Sequence, residues 1–135
     1  MKRYLAIILT AILATGIIFA SGCGSEESYS KDKVLNSFSQ VAEQRALTGR
    51  QNIYPWWSEK ISQGSVKYLK DVDYYEIEFP GMAGGMEVWG IDMDSSKIWP
   101  INQSAVLMAF TLFCHSAEDP STDCQQWAHQ LETEK

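Results

Sequence analysis

Three features of the 135-residue chain predict an α+β fold. Val34, Leu35, Phe38, Val41, Ala42 and Ala46 recur at the spacing of a helix with one apolar face. Between Val66 and Met93, side chains alternate instead with the period of two that belongs to strands covered on one side. Ala105 to Phe113 is apolar almost all round, the pattern of a buried helix too short to span a membrane. The expected architecture is an N-terminal helix packed on a three- to four-stranded antiparallel meander, with two C-terminal helices and one disulfide.

The chain opens on Lys2 and Arg3, followed by a run from Tyr4 to Ala20 that carries no charge. Small residues close the run at Ser21 and Gly22, completing the three-part layout of a secretory signal. An uncleaved membrane anchor is the alternative, and the run is somewhat short for one. Ala20-Ser21-Gly22-Cys23 resembles the lipobox of bacterial lipoproteins, with Ala20 where that family usually has Leu. The resemblance implies cleavage before Cys23, a diacylglyceryl thioether on its sulfur, and fatty acylation (palmitate-like) of the new amino terminus. One acyl chain anchors only marginally, whereas two or three hold a protein at a bilayer. Gly24, rather than Asp, after the cysteine implies outer-membrane sorting, facing the periplasm, in a bacterium with two membranes. Residues 23–30 then form the lipidated cysteine and a small, polar tether, and residues 31–135 a single α+β domain.

Within that domain, Gly49 is the expected C-terminal cap of the first helix. Pro55 is suited to open a short helix on which Trp57 and Ile61 share a face. Adjacent tryptophans on a helix point about 100° apart, so one core face does not bury Trp56 and Trp57 equally. The pair reads as the end of a small core, with an aromatic platform for a glycan ring or a partner side chain as the alternative. Strands follow from Val66 to Leu69 or Lys70, at Tyr74–Phe79 and from Met86 to Met93, separated by turn residues including the glycine-rich stretch 80–85. Asp94 to Lys97 makes a further turn, and Ile98-Trp99-Pro100-Ile101 is extended. Asn102 or Ser104 is placed to cap the helix ending near Phe113, and Thr122 with Gln125 resembles a capping box for the last one.

Removing residues 1–22 takes away Lys2 and Arg3, so 11 basic residues become nine against an unchanged 17 acidic ones, a net charge of −8. An acidic surface excludes the basic patch that nucleic-acid binding demands. Cys23 belongs to the anchor, which leaves Cys114 and Cys124 as a pair in a chain bound for an oxidising compartment. A disulfide closing that short loop is worth roughly 2–3 kcal/mol.

Each candidate catalytic or metal signature in the chain has a plainer reading. Glu76 and Glu78 share a strand face, which reads as a solvated outer face rather than an acid–base pair. Asp92-Met93-Asp94 begins like a calcium loop, yet Lys97 stands at the required glycine and Gln103 at the bidentate glutamate. Cys114, His115, Cys124 and His129 lack a chelating spacing, and an exported chain oxidises its thiols, which also removes a Cys–His nucleophile. No nucleophile elbow, zinc-protease motif or phosphate loop is present. The residues thus predict no catalytic residues, metal or cofactor.

Gly64 to Asn102 resembles the PepSY type and related cystatin-like small exported domains. The matching pieces are Tyr75-Glu76-Ile77-Glu78-Phe79 and the segment Val88 to Ile98, with Ser96 where those domains tend to have glycine. The resemblance implies a small α+β binding or inhibitory domain without catalytic residues. The expectation is a lipid-anchored envelope protein acting as a non-catalytic interaction module, bound to another envelope protein through a sheet edge or Trp56/Trp57. The alternative is a cell-wall glycan binder using Trp56, Trp57 and Trp99.

Overall fold

The computed structural model describes residues 29–50, 52–82 and 84–134. The signal, Cys23 and most of the tether lie outside the described residues. Helix α1 (Lys31–Arg45) starts on Ser30, whose hydroxyl accepts a hydrogen bond from the Lys33 N–H. Its stripe Val34, Leu35, Phe38 and Ala42 is buried. The helix ends at Arg45, short of the cap expected at Gly49. The chain becomes extended at Ala46, and the Leu47 N–H instead donates to the Leu112 carbonyl at 2.9 Å, a tertiary bond that local sequence does not announce. Gly49 occupies the left-handed turn that follows, with φ of +100°.

Helix α2 (Tyr54–Ser62) carries Pro55 in its first turn and buries Trp57 and Ile61. Four strands then form a meander in chain order, each antiparallel to the next: β1 (Ser65–Leu69), β2 (Tyr74–Pro80), β3 (Met86–Asp92) and β4 (Lys97–Pro100). The register pairs Val66 with Ile77, Ile77 with Trp89, and Ile91 with Ile98, which puts an apolar row on one face. Lys67, Glu76, Gly90 and Trp99 form the matching row on the other face. Met93, expected at the end of the third strand, lies in the turn after β3 and is half-buried. Ser96 in that turn has φ of +55°, a region glycine enters without strain, and it is the position where the resembled motif carries glycine.

Helix α3 (Gln103–Phe113) begins on Asn102, which settles the choice between Asn102 and Ser104. The Asn102 Oδ1 accepts from the N–H of Ala105 and of Val88, and its Nδ2 donates to the Met86 carbonyl. One side chain therefore caps α3 and ties it to β3. Helix α4 (Thr122–Thr133) is capped by Ser121, whose hydroxyl accepts from the Cys124 N–H. The start lies one residue before the Thr122–Gln125 box expected from sequence. The Cys114–Cys124 disulfide holds α4 against the end of α3. The helices α1, α2 and α3 cover the inner face of the sheet, with Val34, Phe38, Trp57, Ile77, Phe79, Trp89, Ile91 and Leu112 fully buried between them. No helix among the described residues is long and apolar enough to cross a membrane.

Candidate functional site

The alternation of β3 that buries Trp89 and Ile91 also turns Glu87 inward. Glu87 is 1% exposed, the one buried charged side chain among the described residues. Four rings pack beside it: Phe38, Trp57, Phe79 and Trp89, with centroids 5.3–6.1 Å apart in edge-on or tilted arrangements. Two of these rings direct their N–H groups at the carboxyl. Trp57 Nε1 donates to Oε2 at 3.1 Å and to Oε1 at 3.3 Å, while Trp89 Nε1 donates to Oε1 at 3.1 Å. Burial pushes the Glu87 carboxyl up to about 7, against the two indole hydrogen bonds, which favour the charged form.

The carboxyl is closed on one side by backbone. A Cβ on Gly81 would come within 2.9 Å of Glu87 Cγ and 3.0 Å of the Gly85 carbonyl, so only glycine lets the β2–β3 connection lie over it. On another side a cavity of about 190 Å³ adjoins Glu87. Ser104, Leu107, Met108 and Thr111, the successive turns of one face of α3, form its wall, and the exposed Met82 and Leu107 flank its mouth. Sequence reading considered Glu76 and Glu78 and passed over Glu87. The signal was available in the period of two, which places Glu87 on the face of Trp89 and Ile91.

A second concavity, about 520 Å³, lies between the β4 end of the sheet and α4. Tyr74 and Trp99 form an aromatic corner there, their centroids 4.9 Å apart and their planes at 74°. Trp99 reaches this position by lying over Gly90, where an added Cβ would run into its ring. Lys97 and Asp92 flank the corner, and α4 presents Asp123, Gln126 and Gln130 from the opposite wall. Arg45 braces that wall: it donates to the Ile98 carbonyl at 3.2 Å, lies 4.7 Å over the Phe113 ring and pairs with Asp123 at 3.7 Å. Burial lowers its guanidinium from the usual value, offset in part by the Asp123 charge.

The structure separates the tryptophans singled out from sequence. Trp57 is fully buried and is a donor to Glu87, so it offers no ring to a ligand. Trp56 is 40% exposed beside Lys60, on the outer side of α2. Trp99 is half-buried and lines the larger concavity, far along the chain from the other two. Cys114 and Cys124 are joined to each other, which leaves neither as a thiolate ligand or nucleophile. Glu76 and Glu78 lie on the outer face of β2. Among the described residues no group of three or more His, Cys, Asp or Glu side chains is placed to hold a metal ion. No protein-family model, no curated protein and no solved structure matches this chain.

Proposed function

We propose that this chain is a lipid-anchored envelope protein whose domain is a non-catalytic binding module, and that the Tyr74–Trp99 cleft takes a cell-wall glycan. The observation that carries the reading is the composition of the cleft: an aromatic corner facing a wall of amides and carboxylates. Sugar rings present apolar C–H faces that pack on aromatic rings, and hydroxyls that both donate to carboxylates and exchange hydrogen bonds with amides. The side-chain amides of Gln126 and Gln130 make no hydrogen bond among the described residues and are placed to serve those hydroxyls. The sheet edge, the other contact expected from sequence, is less suited to a partner strand on the β4 side. Pro100 has no N–H there, and Arg45 already occupies the Ile98 carbonyl.

The anchor on Cys23 rests on the lipobox resemblance and places such a module within reach of a wall. The test uses the processed, full-length protein in detergent, mixed with insoluble peptidoglycan and pelleted. Retention is expected to fall for Trp99→Ala and Tyr74→Ala and to stay unchanged for Trp56→Ala. Retention that survives both cleft substitutions removes the glycan from the proposal. Cys23→Ala is expected to release the protein from membranes, and a variant that stays bound and is processed at the same site refutes the anchor.

A further inference from the structure

We propose that the cavity beside Glu87 is a second ligand site, one that takes a primary alkylammonium group with its nitrogen on the Glu87 carboxylate and its chain between Leu107 and Met108. It lies on the helix-covered side of the sheet, and its argument is independent of the Tyr74–Trp99 cleft.

The first step is charge. Two indole N–H groups solvate the Glu87 oxygens, but both donors are neutral, and no ion pair reaches Glu87 among the described residues. A carboxylate removed from water without a cation is costly, and a well-placed, hydrogen-bonded cation alongside it offsets part of that cost. The two indoles reach different oxygens, Trp57 closest to Oε2 and Trp89 to Oε1, and neither brings a positive charge. A cationic ligand supplies the charge that both lack.

The second step is shape. Among the described residues Glu87 is the only charged group lining the cavity, which is otherwise walled by Met82, Leu107, Met108 and the hydroxyl-bearing Ser104 and Thr111. The Thr111 hydroxyl already donates to the Leu107 carbonyl, whereas the Ser104 hydroxyl makes no hydrogen bond among the described residues. An ammonium has three N–H donors, and the Ser104 hydroxyl is an acceptor on the same wall as the apolar chain. The volume, about 190 Å³, equals about six waters at about 30 Å³ each. That suits a short alkyl chain, and the largely apolar lining offers little to the many hydroxyls of a sugar. Methionine side chains at the mouth and wall adapt to chains of slightly different length.

A free short-chain amine and the side chain of a lysine in a peptide present the same chemistry. The test follows the indole ¹H–¹⁵N resonances of Trp57 and Trp89 in the full chain, because those N–H groups touch the carboxyl directly. The probes are n-pentylamine, pentan-1-ol of equal length, and Nα-acetyl-lysine amide. Pentylamine is expected to shift both resonances saturably, at least roughly tenfold more tightly than pentanol, with Trp99 as an unmoved internal control. Its affinity is expected to fall as pH drops from about 8 to about 5, where Glu87 takes up a proton while the amine stays charged. Acetyl-lysine amide binding as well as pentylamine assigns the site to a lysyl side chain; pentylamine alone assigns it to a free amine. Pentylamine no tighter than pentanol, a shift that does not saturate, or an affinity indifferent to pH overturns the proposal. Glu87→Gln should lose the preference for amine over alcohol, and the wild-type comparison decides the matter if that variant does not fold.

Discussion

Glu87 carries the sharpest consequence at the scale of a single residue. Its carboxyl titrates at about 7 in the folded chain against an ordinary 4.5. Between those values the folded state keeps a proton that the unfolded state has released, so stability falls as pH rises through the window. The loss is at most about 3 kcal/mol once both states are ionised, and there is no contribution from this group below the window. Asp92 and Asp119 act in the opposite sense. Backbone N–H groups hold both below the usual carboxylate range, so any stability they contribute is lost only in stronger acid. The melting temperature of the ligand-free chain should therefore drop by several degrees between about pH 5 and about pH 8. Glu87→Gln, which resembles the protonated acid, should melt close to the parent at the lower pH and above it at the higher one. Parallel melting curves across that range would show that another group sets the slope.

At the scale of the element, what each helix does depends on a side chain just outside it. Asn102 shows this most fully, since one amide caps α3 and binds two backbone groups of β3. Ser121 does the simpler version for α4, by accepting from the Cys124 N–H. Ser121→Ala should cost about 1 kcal/mol, the usual value of a lost cap, while Thr122→Ala should cost much less because Thr122 is the first helical residue. Thermal melts of the two variants under identical conditions separate these sites. A larger loss for Thr122→Ala than for Ser121→Ala would mean that the helix begins one residue later, as the Thr122–Gln125 pattern suggests. Both measurements should be made with the Cys114–Cys124 disulfide intact, since it limits how far α4 can separate from α3.

Across the whole molecule, the four-ring cluster joins α1, α2, β2 and β3, so its members are where the layers meet. Trp57→Ala removes a fully buried ring and also one of the two donors to Glu87. It should cost about 3–5 kcal/mol, a large part of the stability of a domain this size. Trp56→Ala, next in the chain but exposed on α2, should stay within about 0.5 kcal/mol of the parent. Urea unfolding of both variants measures the difference, and a similar loss in each would contradict the placement of the two rings. A large drop for Trp57 with unchanged peptidoglycan retention by Trp56→Ala would leave the Tyr74–Trp99 cleft as the aromatic site to pursue.

The chain by itself determined the elements and the face each one buries. Periods of two and of three to four are properties of a local backbone, so Val34 to Ala42, Tyr75 to Phe79 and Ala105 to Phe113 could be placed without knowing their neighbours. The pairing of Cys114 with Cys124 was equally accessible, because residues 31–135 contain just these two cysteines. Tertiary structure decided where α1 ends, because the Leu47 N–H is taken by a carbonyl from the far helix. It also decided both candidate sites. Glu87 becomes unusual only when Trp57, thirty residues earlier, turns its N–H to the same carboxyl as Trp89. Trp99 joins Tyr74 only because the sheet register sets it over Gly90. Side-chain period is written in neighbouring residues, whereas the solvation of a buried charge and the walls of a cleft are supplied by residues remote in sequence.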